Sequence, residues 1–304
     1  MNTYNLVDFC LKTELTFPEL EILSSPDKKE ELSLEPCELA QEISSSEKFH
    51  SWYQDQQIWL NLYQNQDSYY VEYPDACFFK LCLKQKKILY QKNISLDWAS
   101  FRHLFLDQIL PLVVSTKNRL VLHASAVADQ QGAFIFLGAT GNGKSSLAAE
   151  LLSNCELISD DFVPCEFNSD WVINPTYPVL RLWSPKAPIR DSHELENMNI
   201  SDKQRFKVEP RATNNQQYKV NALILLDRDA DQPIGSIELT PVSEPAVFAA
   251  ILNNIFVLET QSKKRQTQLL EQIGDFSAQI KTYNLKFSDL RGFGSQLYQE
   301  LCAL

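Results

Sequence analysis

Residues 134–151, FIFLGATGNGKSSLAAEL, constrain the fold more than any other stretch of this chain. Five apolar residues, counting Ala133 just before this stretch, run without interruption into a turn holding Gly138, Gly141 and Gly143, and strong helix formers follow with no Gly or Pro. A continuous apolar strand belongs in a sheet covered on both faces. The residues after Lys144 have the propensity of a helix. The preceding RLVLHASAVA reads as a strand, DQQG as a turn, and CELISDDFVPCEF as a returning strand with two adjacent acids. Strand, glycine turn, helix, strand is the unit of nucleotide-binding α/β folds.

The turn is a full match to the G-x-x-x-x-G-K-[ST] pattern: Gly138, Ala139, Thr140, Gly141, Asn142, Gly143, Lys144 and Ser145, followed by Ser146. Glycines let successive backbone N–H groups point inward, and with the positive end of the next helix they cradle a phosphate. Lys144 is placed to reach β- and γ-phosphates, and the Ser145 hydroxyl to ligate Mg²⁺. Asp160 and Asp161 follow one helix later. One such acid holds Mg²⁺, and a phosphotransferase also needs a carboxylate to accept the hydroxyl proton. The same pair could be a solvated acidic turn. His123 reads first as a core histidine. Lys203, Arg205, Lys207 and Arg211 form a basic segment, either a solvated loop or the source of a cation for the transferring group. Spacing does not choose among them.

Composition removes several alternatives. A net charge of −11 argues against a nonspecific binder of nucleic acid or of a membrane surface. No window approaches about 18 uninterrupted apolar residues, and no secretory signal is visible, so a soluble cytoplasmic protein is expected. Seven scattered cysteines (Cys10, Cys37, Cys77, Cys82, Cys155, Cys165, Cys302) read as reduced thiols. The histidines His50, His103, His123 and His193 form no zinc cluster with them.

Period-two alternation over residues 1–95 predicts a smaller, mostly antiparallel β amino-terminal domain, interrupted by loop or weak helix over 24–47. Residues 96–304 are assigned to an α/β P-loop catalytic domain. Helix is expected from Leu96, with Asp97 in the first turn and a break or kink at Pro111. YPVLRLWSPKAPIRDSHELENMN is read as turn-rich and partly helical, and SDKQRFKVEPRATNNQQ as loop.

LHASAVADQQGAFIFLGATGNGKSSLAAELL followed by LISDDFV resembles the catalytic domain of the HPr kinase/phosphorylase family, and the wider chain resembles the HPr-kinase-related serine kinases of bacteria. YNLVDFCLKTELTFPELEIL and YPVLRLW also carry this likeness. It implies a fold shared with phosphoenolpyruvate carboxykinases, with a mainly antiparallel or mixed sheet. It implies Asp160 as the carboxylate that deprotonates the acceptor serine, Asp161 as its metal-associated neighbour, and His123 near the phosphates. The cofactors implied are ATP and Mg²⁺, and the acceptor a serine hydroxyl of a peptide or protein. HPr kinases assemble as hexamers, so a homo-oligomer is left open. Ser146 stands where HPr kinases carry an acid, and the glycine- and isoleucine-rich signature after the acids is missing. Both departures point away from HPr as acceptor and from phosphorolysis. Two other readings remain: a nucleotide-dependent accessory module in peptide maturation, and a kinase of free serine or a carboxylate metabolite. No N-K-x-D segment supports a GTPase.

Overall fold

The computed structural model describes residues 1–7, 9–23, 30–39, 46–54, 56–183, 189–209 and 216–304, and the chain divides into two compact units. The first comprises Met1–Val113 with Glu196–Asp202, the second Val114–Leu195 with Lys203–Leu304. The expected boundary at residue 95 thus lies about one helix too early.

The reason is aromatic. The helical run after Leu96 belongs to the first unit because Phe101 and Phe105 pack into its ring cluster. Phe79 stacks on Phe101 with centroids 5.3 Å apart, Tyr90 lies 4.7 Å from Phe101, and Phe17 lies 5.6 Å from Phe105. Helix α1 (Trp98–Leu104) is capped by Asp97, whose side chain accepts from the Ser100 N–H at 2.7 Å. A π-helical segment (Phe105–Ile109) joins it to α2 (Leu110–Ser115). Pro111 therefore does not end the helix. The wider turn before it accommodates the missing N–H and the ring.

The first unit is built on β1 (Asn2–Asn5), β2 (Phe9–Thr13), β3 (Glu30–Pro36), β4 (Glu47–Gln54), β5 (Gln57–Gln64), β6 (Tyr69–Tyr73), β7 (Cys77–Cys82) and β8 (Lys87–Lys92). They form one sheet in the order β1-β2-β3-β8-β7-β6-β5-β4, antiparallel except for β2/β3 and β3/β8. Strand β3 corrects the expectation of loop or weak helix over 24–47: Leu32 and Leu34 alternate inward between charged neighbours. Positions 24–29 and 40–45 of that stretch lie outside the described residues.

The second unit holds β9 (Leu120–Leu122), β10 (Ala124–Ala128), β11 (Ala133–Leu137), α3 (Lys144–Glu150), β12 (Glu156–Ser159), β13 (Val163–Phe167), β14 (Trp171–Ile173), β15 (Val179–Leu182), β16 (Ser192–Glu194), β17 (Gln204–Val208), β18 (Tyr218–Arg228), β19 (Glu238–Pro241), α4 (Glu244–Leu252), α5 (Lys263–Gln279), β20 (Thr282–Phe287) and α6 (Gly294–Cys302). Its main sheet is mixed: β10 and β11 are antiparallel, while β18 runs parallel to both β11 and β20. As the apolar run of β11 requires, both faces are covered. Ala133, Ile135 and Leu137 join a core with α4 and α5, and Phe134 and Phe136 join one with α3 and α6. Strand β18 keeps contact with both cores through a bulge. Ala133 pairs Val220 but Phe134 pairs Ala222, so the side-chain alternation changes phase at Asn221. Two segments read from sequence as loop or partly helical instead give β15, β16 and β17, a separate three-stranded sheet in the order β15-β17-β16. Among the described residues, no helix is long and apolar enough to cross a membrane.

Candidate active site

Segments 120–128 and 156–167 run antiparallel, with one gap in their pairing and, beyond it, a register shift between Ala126 and Val127. On one side of the gap Leu122 pairs Val163, and on the other Ala126 pairs Ser159. The pairs that flank the gap share one register. Carried across the gap, it sets Ser125 opposite Asp160, Ala124 opposite Asp161 and His123 opposite Phe162. The gap opens because Asp161 takes a left-handed conformation, φ +68°, which breaks the strand and splays neighbouring side chains. Backbone groups freed there find other partners: the His123 N–H donates to the Asn254 carbonyl at 2.7 Å, and the Phe162 N–H to the Asp160 carbonyl at 2.9 Å.

The glycine turn faces this gap. Gly141 (φ +89°) and Gly143 (φ +93°) hold conformations that L side chains rarely adopt, and the second caps α3. Ala139, Thr140, Gly141 and Ser146 are exposed, and Gly138 and Asn142 are partly buried. The Asn142 side chain ties the turn to the sheet by donating to the Leu226 carbonyl at 3.3 Å. Lys144 is buried, and its ammonium donates across the turn to the carbonyls of Gly138 at 2.8 Å and Ala139 at 3.4 Å. Burial holds its pKa below the usual lysine value, against the opposing pull of Asp161 and Asp160.

Asp160, 1% exposed, joins the parts. Its Oδ1 accepts from the Ser145 hydroxyl at 3.0 Å and from the Ser125 hydroxyl, and its Oδ2 accepts from the Arg181 backbone N–H at 3.2 Å. Burial and then the charge of Asp161 raise its pKa, and the hydroxyl and Arg181 contacts only partly offset them. Asp161 is clamped by the Arg181 guanidinium, with Nε on Oδ2 at 2.6 Å and Nη2 on Oδ1 at 2.5 Å. Adjacent in sequence, the two acids occupy different electrostatic states. Burial, followed by the charge of Lys144, pushes the His123 imidazole down to about 4, so it is neutral at pH 7. Its ring meets Phe256 edge-on at 5.9 Å.

Ser145, Asp160 and Asp161 make an all-oxygen donor set, which suits a hard cation such as Mg²⁺. No cluster of three or more His, Cys, Asp or Glu able to hold a metal occurs among the described residues. Few protein ligands, with phosphate and water completing the shell, is the usual way of holding Mg²⁺. The expected metal pair Ser145 and Asp161 is not joined directly, because the Ser145 hydroxyl bonds Asp160. A lone pair of that hydroxyl can face a cation while its proton stays on Asp160.

Ser125 and Arg181 were not singled out in sequence. Ser125 is the one hydroxyl in LHASAVA, and Arg181 interrupts the apolar VLRL of β15. Of the basic segment, Lys203 is near enough for its charge to act on both Lys144 and His123. Arg205 is buried, Lys207 pairs with Val179 two rungs from Arg181, and Arg211 lies outside the described residues.

No protein-family pattern matches the chain, and no curated protein matches it. Among solved structures it is similar to the HPr(Ser) kinase/phosphatase from Coxiella burnetii at 12% identity and a TM-score of 0.30, over 60% of this chain and 93% of that one. At that score and identity the likeness assigns no role to any residue.

Proposed function

We propose that the second unit is an ATP- and Mg²⁺-dependent kinase that transfers the γ-phosphoryl group to a hydroxyl, a serine of a peptide or protein. The observation that carries this reading is the line of hydrogen bonds from Ser145, at the start of the loop helix, through buried Asp160 to Ser125. A general base works best with a pKa near the operating pH, and the raised Asp160 carboxyl moves in that direction. A carboxylate has about four acceptor sites, and Asp160 uses three, which leaves one on Oδ2 for an incoming hydroxyl.

In the reaction, the acceptor oxygen gives its proton to Asp160 and bonds to the γ-phosphorus as the bond to the bridging oxygen breaks and ADP departs. The turn amides over 139–145 hold the phosphates. Lys144 exchanges the Gly138 and Ala139 carbonyls for phosphate oxygens. Ser145 and Asp161 would hold the magnesium ion, Asp161 through lone pairs outside its Arg181 clamp, and that ion would neutralise charge on the β- and γ-phosphates. Neutral His123 adds no positive charge near the phosphates and remains a donor or acceptor.

The test is incubation with γ-labelled Mg-ATP and serine peptides. Label on serine for the wild type, lost in Asp160→Asn, is the expected result. Label released only to water, equally in both proteins, would refute it and leave an accessory nucleotide-binding role.

A further inference from the structure

The sheet β15-β17-β16 has two unlike faces. Leu180, Leu182 and Val208 are buried, with Phe206 packed beside them, in the core beneath α3. The opposite face carries Arg181, Lys203, Arg205 and Lys207. Register fixes the neighbours on it: Arg181 lies opposite Arg205 and Leu182 opposite Gln204, so one rung further Trp183 lies opposite Lys203. The side chains agree, with the Lys203 ammonium 5.9 Å from the centre of the Trp183 ring. Trp183 is 64% exposed, and alternation puts it on the face of Arg181, about 7 Å along the strand.

This face borders one side of the proposed reaction. Arg181 holds Asp160 through its backbone N–H and Asp161 through its guanidinium, the two acids that stand between the glycine turn and an incoming hydroxyl. Lys203 on this face is also near enough to Lys144 for its charge to act there. A large exposed aromatic beside a cation, next to the strand that holds both acids, is a recognition surface: the ring covers hydrocarbon and the ammonium pairs with an anion. Of the cations on this face Arg205 is buried and Arg181 is clamped on Asp161, while Lys203 and Lys207 are partly exposed, and in a chain of net charge −11 they favour acidic partners.

We infer that Trp183 and Lys203 form the acceptor subsite, and that they select a serine in a peptide segment with a carboxylate side chain within a residue or two of the hydroxyl. This rests on the kinase reading above.

The experiment uses the full chain, γ-labelled Mg-ATP and a peptide library with one serine flanked by Asp/Glu, by Asn/Gln or by Lys. Mg-ATP affinity is measured in parallel. Expected are a KM for acidic-flanked peptides about tenfold below that for the neutral set, and its loss in Lys203→Glu. In Trp183→Ala the KM should rise for every peptide and recover in Trp183→Phe. Lys203→Gln serves as the milder variant if charge reversal impairs folding. Labelling without acidic preference, or a preference unmoved in both Lys203 variants, overturns the inference and leaves the kinase intact. Weakened Mg-ATP binding with unaltered peptide KM also overturns it, giving these residues to the nucleotide. Mg-ATP binding with no peptide labelled by the wild type removes the kinase reading and this inference together.

Discussion

In the amino-terminal unit, buried charge is paired within the fold, with one partner, Glu196, exposed. The Arg102 guanidinium donates to Glu19 at 3.0 Å and to Glu196 at 2.7 Å, and Ser51, Asn61, Glu72 and Tyr63 are linked by successive hydrogen bonds. In the second unit Lys144, Asp160, Asp161 and Arg181 are buried or nearly so, but they border a glycine turn in which Ala139, Thr140 and Gly141 are exposed. Buried ionisable groups alone therefore do not mark a site. What marks this one is that charges held in unequal states, one acid raised and one clamped, stand beside a backbone that can still receive an anion.

Substitutions should separate the two kinds of burial. The largest effect is expected in Lys144→Ala and Asp160→Asn, at least about 10²-fold in phosphoryl transfer, with folding retained; single-turnover assays with labelled ATP measure it. A loss under tenfold at Asp160 would move the base elsewhere. Glu19→Ala should instead destabilise the fold by about 3 kcal/mol, because Arg102 loses its buried partner, while nucleotide binding per folded molecule is kept. Urea titration followed by binding assays checks the split.

Ser125→Ala is subtler. The Ser125 hydroxyl favours the charged form of Asp160, so its removal should raise that pKa further. The acid limb of the pH–rate profile should then move to higher pH, with about a tenfold loss near neutrality; an unmoved limb would deny Asp160 the proton transfer. Linkage has its own sign. Because the folded state of Asp160 holds its proton more tightly than the unfolded chain, its contribution to stability falls as pH rises from the ordinary carboxylate range through the raised value. The smallest effect is at His123, whose ring should titrate near pH 4 by NMR and move upward in Lys144→Ala, since the Lys144 charge is one cause of the depression. A midpoint near 6.5 in the wild type would place the ring in solvent.

Strand β11, the glycine turn, α3 and the acidic pair were legible because each is a local pattern of unbroken apolar residues, special backbone or adjacent like charge. Strand β17 was not, since only Phe206 and Val208 join the apolar core and its two cations, Arg205 and Lys207, look like solvated loop. Strand β3 was hidden in the same way among glutamates. Ser125 owes its role to register across a gap and Arg181 to a strand of another sheet, neither of which a local window contains. The helix boundary was missed because Phe101 and Phe105 carry no label saying which core they enter.

The register shared by the pairs that flank the gap limits how this chain can change length. One residue inserted between Leu122 and Ala126 or between Ser159 and Val163 would break that shared register and part Ser125 from Asp160. Length can vary harmlessly only where the chain turns away, at the hairpin tip near Gly132 or between α3 and β12. Histidine and acids are thus fixed in space while their separation along the sequence is left free to drift.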